Sequence, residues 1–321
     1  MIERLESPNH KSQITNHKSP RIALKVDCDT YVGTRDGVPR LLEILGERGI
    51  RATFFFTFGP DRSGVAVRRF LTTPGFARKM LKSRAASLYG FPTVLYGTLL
   101  PAPRIGERCR RQIRSVAEAG HDTGVHAWDH VGWHDRLDSW CEPKIREQSG
   151  LAHEAYESVF ERPATAAAAA GWTVNVLSLS VESERNLSYT SNTRLGKPFF
   201  PRAGGRAFEA LEIPTTLPTL DETLSWSELS NEEAQRRFFR QAPRATQVHT
   251  IHTEVEGRSK SALFAGILDD WVSDGVTFLT LEELARETLA RGEVPTRELA
   301  RTTLRGRGGT VATGWPPDSP A

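Results

Sequence analysis

Arg21-Ile-Ala-Leu-Lys-Val26, then Asp27-Cys28-Asp29, then, one helix further on, Ala52-Thr-Phe-Phe-Phe-Thr-Phe58: these segments decide the fold of this 321-residue chain. The first and last are short, continuous apolar runs, the pattern of strands covered on both faces. Between them Gly33 to Gly37 read as a loop, and Val38, Leu41, Leu42 and Leu45 recur at helical spacing until Gly49 stops the helix. Strand, loop, helix and strand within about 35 residues make a βαβ unit, and so a parallel sheet.

The alternation continues along the chain. Ile105 to Ala119 reads as a helix, Gly120-His-Asp-Thr-Gly-Val125 as a buried strand, and Lys144 to Phe160 as a helix. Ala164 to Ala170 is helical by propensity, yet Pro163 before it and Gly171 after it suit a short strand of small residues equally. Thr173 to Glu184 reads as a helix, and Leu187 to Thr190 and the stretch from Leu211 as short strands. Helices over Asn231–Gln241, Ser259–Ser273 and Leu281–Arg291 are expected to alternate with strands over Thr246–His252 and Val276–Leu279. Roughly seven strand–helix repeats without a Gly-rich phosphate loop predict a barrel of parallel strands over residues 21–300, with its site at the strand C-terminal ends. Residues 1–20 are polar and carry Asn-His-Lys-Ser twice; a disordered, dispensable extension is expected there, and a loosely ordered tail over 301–321.

With 38% hydrophobic and 25% charged residues the composition is that of a globular protein, and a net charge of +3 is too small to argue for nucleic acid as a partner. Cys28, Cys109 and Cys141 are odd in number and lack CxxC spacing, which disfavours a disulfide framework. No run approaches the roughly 20 apolar residues of a membrane span, and no apolar signal-peptide core opens the chain, so a cytoplasmic location is expected. Residues 61–104 interrupt the barrel. From Arg62 to Arg104 there is no acidic residue, and Arg68, Arg69, Lys79 and Lys82 are interleaved with Phe70, Phe76, Met80, Leu81 and Tyr89. Such a segment suits an anionic membrane surface; the alternative is a solvated helical hairpin packed on the domain.

The chemistry concentrates at strand ends. His126-Ala-Trp-Asp-His130 spaces two imidazoles by four residues, which on a helical turn puts both on one face, able to grip one metal ion. Asp29 supplies a carboxylate from the first strand, leaving coordination positions open for water and substrate. Asp27, two residues earlier, is the candidate general base for that water, and His252, at the end of a later strand, the candidate acid for a leaving amine. The ligand set suits zinc, cobalt, nickel, iron or manganese alike.

These residues resemble the polysaccharide deacetylase (NodB-homology) superfamily: Asp27-Cys28-Asp29 matches its first motif, His126-x3-His130 its second and Ile251-His252 its last. The resemblance is closer to a branch acting on a lipid-linked formamido sugar, on the segments Val26–Leu45, Ala85–Gly90, Gly124–His130, Ala168–Trp172, Ile213–Thr219 and Thr250–Gly257. It implies a distorted (β/α)7-type barrel and one divalent metal ion held by Asp29, His126 and His130, with Asp27 and His252 as catalytic residues. It further implies hydrolysis of the N-formyl group of undecaprenyl phosphate 4-deoxy-4-formamido-L-arabinose, a step in lipid A modification and resistance to cationic peptides. The enzyme would then work peripherally on the inner face of the inner membrane, Arg68, Arg69, Lys79 and Lys82 meeting the lipid phosphate. From their positions in the matching motifs, Gly171, Trp172, Arg194 and Glu254 are expected to bind substrate.

Two residues depart from the branch pattern: Thr173 stands where an Arg is usual after Gly171-Trp172, and Asn192 where an Asp is expected. Arg194 is the candidate replacement for the missing cation. The alternatives are an N-deacetylase of another amino sugar or polysaccharide, and a lipid-binding homologue with weakened catalysis.

Overall fold

In the computed structural model, which describes residues 19–66, 93–243 and 245–316, strand β1 (Arg21–Cys28) is the axis of an eight-stranded parallel sheet. β2 (Thr53–Thr57) lies along its second half, from Lys25 opposite Thr53 to Cys28 opposite Phe56. β10 (Thr277–Leu279) pairs with the first three residues, Arg21 to Ala23. β9 (Thr246–His252) runs beside β1 from Arg21 to Asp27, which sets His252 opposite Asp27. Beyond β2 the sheet continues through β3 (Asp122–Ala127), β4 (Ala166–Ala167), β5 (Tyr189–Thr190) and β8 (Leu211–Glu212). It curls back on itself, for Thr216 and Leu217, just past β8, both donate their N–H to the Val248 carbonyl of β9 at 3.0 Å. The expected distorted parallel barrel is what forms.

Side chains of β1 alternate between two cores. Ile22, Leu24, Val26 and Cys28 pack outward against the helices, among them Val38–Gly46 and Ser261–Ser273, whereas Ala23 belongs to an inner cluster with Phe55, Ala166, Ala168, Tyr189 and Val248. By the two-residue period of a strand, Lys25 and Asp27 therefore face inward with Ala23, and Thr250 and His252 with Val248. Within the alanine run only Ala166–Ala167 form a strand, next to Gly124 of β3, where a Cβ would lie 2.5 Å from the Phe55 ring and 2.7 Å from the Ala166 carbonyl. Ala166 and Ala168 share the inner cluster with Phe55, and this packing in the sheet outweighs the helical propensity of alanine.

The loosely ordered tail expected from residue 301 is corrected. β11 (Thr296–Thr302) and β12 (Val311–Trp315) form an antiparallel hairpin, and with β6 (Phe200–Ala203) and β7 (Arg206–Ala207) they build a second, four-stranded sheet. Arg194 N–H donates to the Ala312 carbonyl at 2.8 Å, and Val311 and Ala312 are buried. The partners of this hairpin lie about a hundred residues upstream, so local composition carries no sign of them. The proposed N-terminal extension (1–18) and the central residues of the basic insertion, Arg68, Arg69, Lys79 and Lys82 among them, lie outside the described residues.

Candidate active site

β1, β3 and β9 bring four of the expected groups to the open end of the barrel. Asp29 follows β1; its Oδ1 lies 3.2 Å from His126 Nε2 and its Oδ2 lies 3.4 Å from His130 Nε2. The ligand atoms of the three lie within 4.8 Å of one another. The histidines do not share a helical face, which corrects that part of the sequence reading. His126 is the penultimate residue of β3, and His130 opens the helix His130–Arg136, capped by Asp129 Oδ1 accepting from Gly132 N–H at 2.9 Å. A sharp turn after the strand, rather than helical periodicity, aims both rings at Asp29.

His126 Nδ1 is 2.8 Å from the Ala168 carbonyl. A carbonyl only accepts, so Nδ1 carries a proton, and in the neutral ring Nε2 presents its lone pair. That lone pair faces Asp29 Oδ1, a buried acceptor with no hydrogen-bond donor. Two acceptors at 3.2 Å call for a cation between them, and two imidazoles with one carboxylate fit a divalent metal ion. Protonation agrees. Burial holds His130 neutral, its pKa down at about 4. Burial opposes ionisation of Asp29, yet positive charge at the His130 and His126 positions overcomes it and keeps its carboxyl well below the usual range. A neutral His130 imidazole and an ionised Asp29 carboxylate are forms that bind metal.

Asp27 is buried beside this group, Oδ1 without a hydrogen-bond donor and Oδ2 3.3 Å from Lys25 Nζ. Lys25 is fully buried and also donates to the Ser191 carbonyl at 3.0 Å. Burial lowers its pKa, and Asp27 opposes the shift. Lys25, rather than Arg194, is thus the cation that accompanies Asp27 despite Thr173, a residue sequence reasoning passed over although it shares Asp27's face of β1. Arg194 is corrected to an internal role. It is 2% exposed, its guanidinium makes a bidentate pair with Glu222 at 2.7 and 3.0 Å, and it lies 4.5 Å from the centre of the Trp172 ring.

His252 Nδ1 lies 3.5 Å from Asp221 Oδ1. Burial acts to discharge the imidazole, but Asp221, then Asp29 and Asp27, hold its pKa well above the usual value. Burial likewise opposes ionisation of Asp221, and His252 overcomes it. Asp221 was not singled out from the sequence; it sits in the capping turn Thr219-Leu-Asp-Glu222, where an acidic residue has an ordinary reading.

Trp172 and Gly171 are at the site, both with left-handed backbone, φ +53° and +62°. A Cβ on Gly171 would lie 2.0 Å from His134, so glycine is required twice over, by conformation and by space. Trp172 is buried and meets His252 edge-on at 6.3 Å between ring centres. Glu254 is corrected from substrate contact to scaffold: it is buried, and its Oε1 accepts from Thr30 N–H and Thr30 Oγ1 at 2.8 and 2.7 Å, pinning the loop that carries Asp29.

Asn192 lies in a separate buried network. Its Oδ1 accepts from Ala169 N–H at 2.7 Å and its Nδ2 donates to Glu182 at 2.9 Å, while its own N–H donates to Glu212 at 2.8 Å. An amide serves where a carboxylate would face a second carboxylate. Burial pushes the Glu182 carboxyl up to about 8, with the Asn192 bond opposing and Glu212 adding to the shift. A folded-state pKa above the unfolded one gives stability that is full below about pH 4.5 and is lost as pH rises through about 8. Glu182→Gln is therefore expected to be more stable than the parent at pH 9 by a few kcal/mol, with the advantage vanishing near pH 4.5. Urea unfolding across that range tests this, and parallel stability curves for the two proteins would refute it.

A metal-ligand triad at the mouth of a parallel barrel, with a lysine-paired carboxylate and a carboxylate-paired histidine beside it, is the site of a hydrolase. The chain belongs to the polysaccharide deacetylase family, which it matches over residues 15–190, a family of deacetylase and deformylase hydrolases. It is 35% identical over 265 residues, 82% of this chain and 85% of the relative, to a Shewanella sediminis protein carrying the name 4-deoxy-4-formamido-L-arabinose-phosphoundecaprenol deformylase ArnD. A protein of the same name from Wigglesworthia glossinidia brevipalpis is 33% identical over 286 residues, 88% of this chain and 98% of the relative. Among solved structures, one from Mycobacterium smegmatis assigned to the polysaccharide deacetylases superposes with a TM-score of 0.61 at 19% identity, covering 93% of this chain and 99% of the other. PuuE allantoinase superposes with a TM-score of 0.56 at 16% identity, covering 84% and 91%. These two speak for the fold.

Proposed function

We propose that this protein hydrolyses the N-formyl group of undecaprenyl phosphate 4-deoxy-4-formamido-L-arabinose, releasing formate and the free amine for lipid A modification and cationic-peptide resistance. The observation that carries the chemistry is the pair of facing acceptors, His126 Nε2 and Asp29 Oδ1, at 3.2 Å. The similarity to the two deformylases over more than four-fifths of the chain supports the substrate.

Asp29, His126 and His130 would hold a divalent ion, which would supply Lewis acidity to the water and the formyl carbonyl. Asp27 accepts the proton of the attacking water, its carboxylate held in place by Lys25. His252, held protonated by Asp221, delivers a proton to the departing amine nitrogen as the C–N bond breaks. The buried ring of Trp172 closes the site beside His252 and keeps bulk water from it.

Among the described residues no helix is long and apolar enough to cross a membrane. The enzyme instead works at the inner-leaflet surface from the cytoplasmic side, with Arg68, Arg69, Lys79 and Lys82 meeting anionic lipid. Val65, Leu99 and Leu100, which flank that segment, are exposed, Leu99 to 81%, and support the reading.

Mass spectrometry of the formamido lipid incubated with metal-loaded protein tests the proposal. Loss of the formyl group, absent with the chelated protein and with Asp27→Asn, is expected. A folded, metal-loaded protein that binds the lipid without turnover would favour a non-catalytic lipid-binding role instead.

A further inference from the structure

The hairpin loop between β11 and β12 crosses the mouth of the barrel. Arg305 forms an ion pair with Glu228, and its guanidinium stacks 4.5 Å from the centre of the Trp226 ring. Gly306, at φ +84°, is seated so closely that a Cβ would lie 2.5 Å from the Glu222 carbonyl and 2.8 Å from Trp226 Nε1. With the loop docked at these two points, Arg307 is carried onto the site. Its Nη2 donates to the Gly171 carbonyl at 3.2 Å, and its guanidinium lies 4.6 Å from the centre of the Trp172 ring. Its charge is felt by Asp221, the partner of His252.

Three cations surround Trp172. Lys25 is fully buried and committed to Asp27 and Ser191; Arg194 is buried and committed to Glu222. Arg307 alone of the three is half-exposed. Around it stand the carboxylates of Asp27, Asp29 and Asp221, which repel an anion. A planar guanidinium with five donors, held flat by stacking, is suited to a phosphate oxygen pair.

We infer that Arg307 is a substrate-binding residue that receives the phosphate of a sugar phosphodiester whose amide lies at Asp29, His126 and His130. The C-terminal hairpin then belongs to the active site and selects anionic over neutral sugars. This rests on the deformylase reading only for the identity of the amide.

The test compares the parent, Arg307→Ala and Arg307→Lys on the phosphate-linked formamido sugar and on its neutral methyl glycoside. Arg307→Ala is expected to raise KM for the phosphate substrate about 10- to 100-fold, as for a lost charged hydrogen bond, with a much smaller change for the glycoside. Arg307→Lys should recover part of the loss. Equal losses on both substrates would make Arg307 a positioning residue for Trp172 and His252 and overturn the inference, as would no loss on either. If the parent cleaves neither substrate, the deformylase reading fails on its own. The parent and Arg307→Ala are then titrated with geranyl phosphate, followed by tryptophan fluorescence. Weaker binding by the variant supports the phosphate contact, and equal affinity refutes it. Unchanged circular dichroism of the variants guards against misfolding.

Discussion

Removing the metal, or changing Asp29 or His126 to alanine, is expected to lower deformylation on the order of a thousandfold or more, since Lewis-acid stabilisation of several kcal/mol is lost. His126→Ala should be the more informative variant. It removes one of the facing acceptors and also the bond to the Ala168 carbonyl, which leaves that carbonyl within reach of water at the strand end. Metal content measured on the purified variants should fall together with activity. Titrating divalent ions back into chelated parent protein should restore the rate and identify the metal, while the Asp29→Ala protein should respond weakly or not at all. Full activity in exhaustively chelated protein would refute the metal role of this triad.

Lys25→Met is expected to damage both rate and stability, for one physical reason. Lys25 and Asp27 are both buried, 3.3 Å apart, and removing one leaves the other charge without compensation. Breaking such a pair costs about 3–5 kcal/mol of stability. An Asp27 carboxyl that swings away no longer takes the water proton, so kcat should fall about a hundredfold or more. The double variant Lys25→Met/Asp27→Asn separates the effects: stability should recover in part, since no charge is left buried alone, while activity stays lost. Lys25→Arg keeps the cation and should retain more of both, limited by the space for a guanidinium in the barrel. A Lys25→Met protein with the parent's rate would show that Asp27 does not depend on this partner. It would then reopen the question of how the chain manages with Thr173 where relatives of its branch are expected to carry arginine.

Much of the site was legible in the residues because its members end strands. Asp27 and Asp29 close β1, His126 lies at the end of β3 and His252 at the end of β9, and in a parallel sheet those ends share one side. The boundary of the last long helix, Leu281–Arg291, was also local information, with Thr280 and Glu283 forming its capping box. Lys25 was legible in principle, as a lysine in phase with Asp27 in an otherwise apolar strand. Asp221, Arg194, Glu254 and Arg307 were not, because their roles depend on partners elsewhere. Glu254 reaches back across more than two hundred residues to Thr30, and Arg307 crosses to Gly171 and Trp172. Ala166 and Ala167, within an alanine run of helical propensity, are a case of tertiary packing overriding propensity, for they pair in the sheet between β3 and β5.

By itself, then, the sequence determined the parallel barrel, through strands apolar on both faces separated by amphipathic helices. It also determined the identity of the metal-ligand and proton-transfer candidates, through their positions at strand ends. Only the tertiary structure decided which charges are paired, which side chains are scaffold and which face the mouth. It alone turned the C-terminal residues from a tail into a hairpin over the site. The division has a physical cause: burial patterns repeat every two or 3.6 residues and can be read locally. Charge pairing and loop docking depend instead on distances of a few ångströms between residues far apart in the chain, which no local pattern encodes.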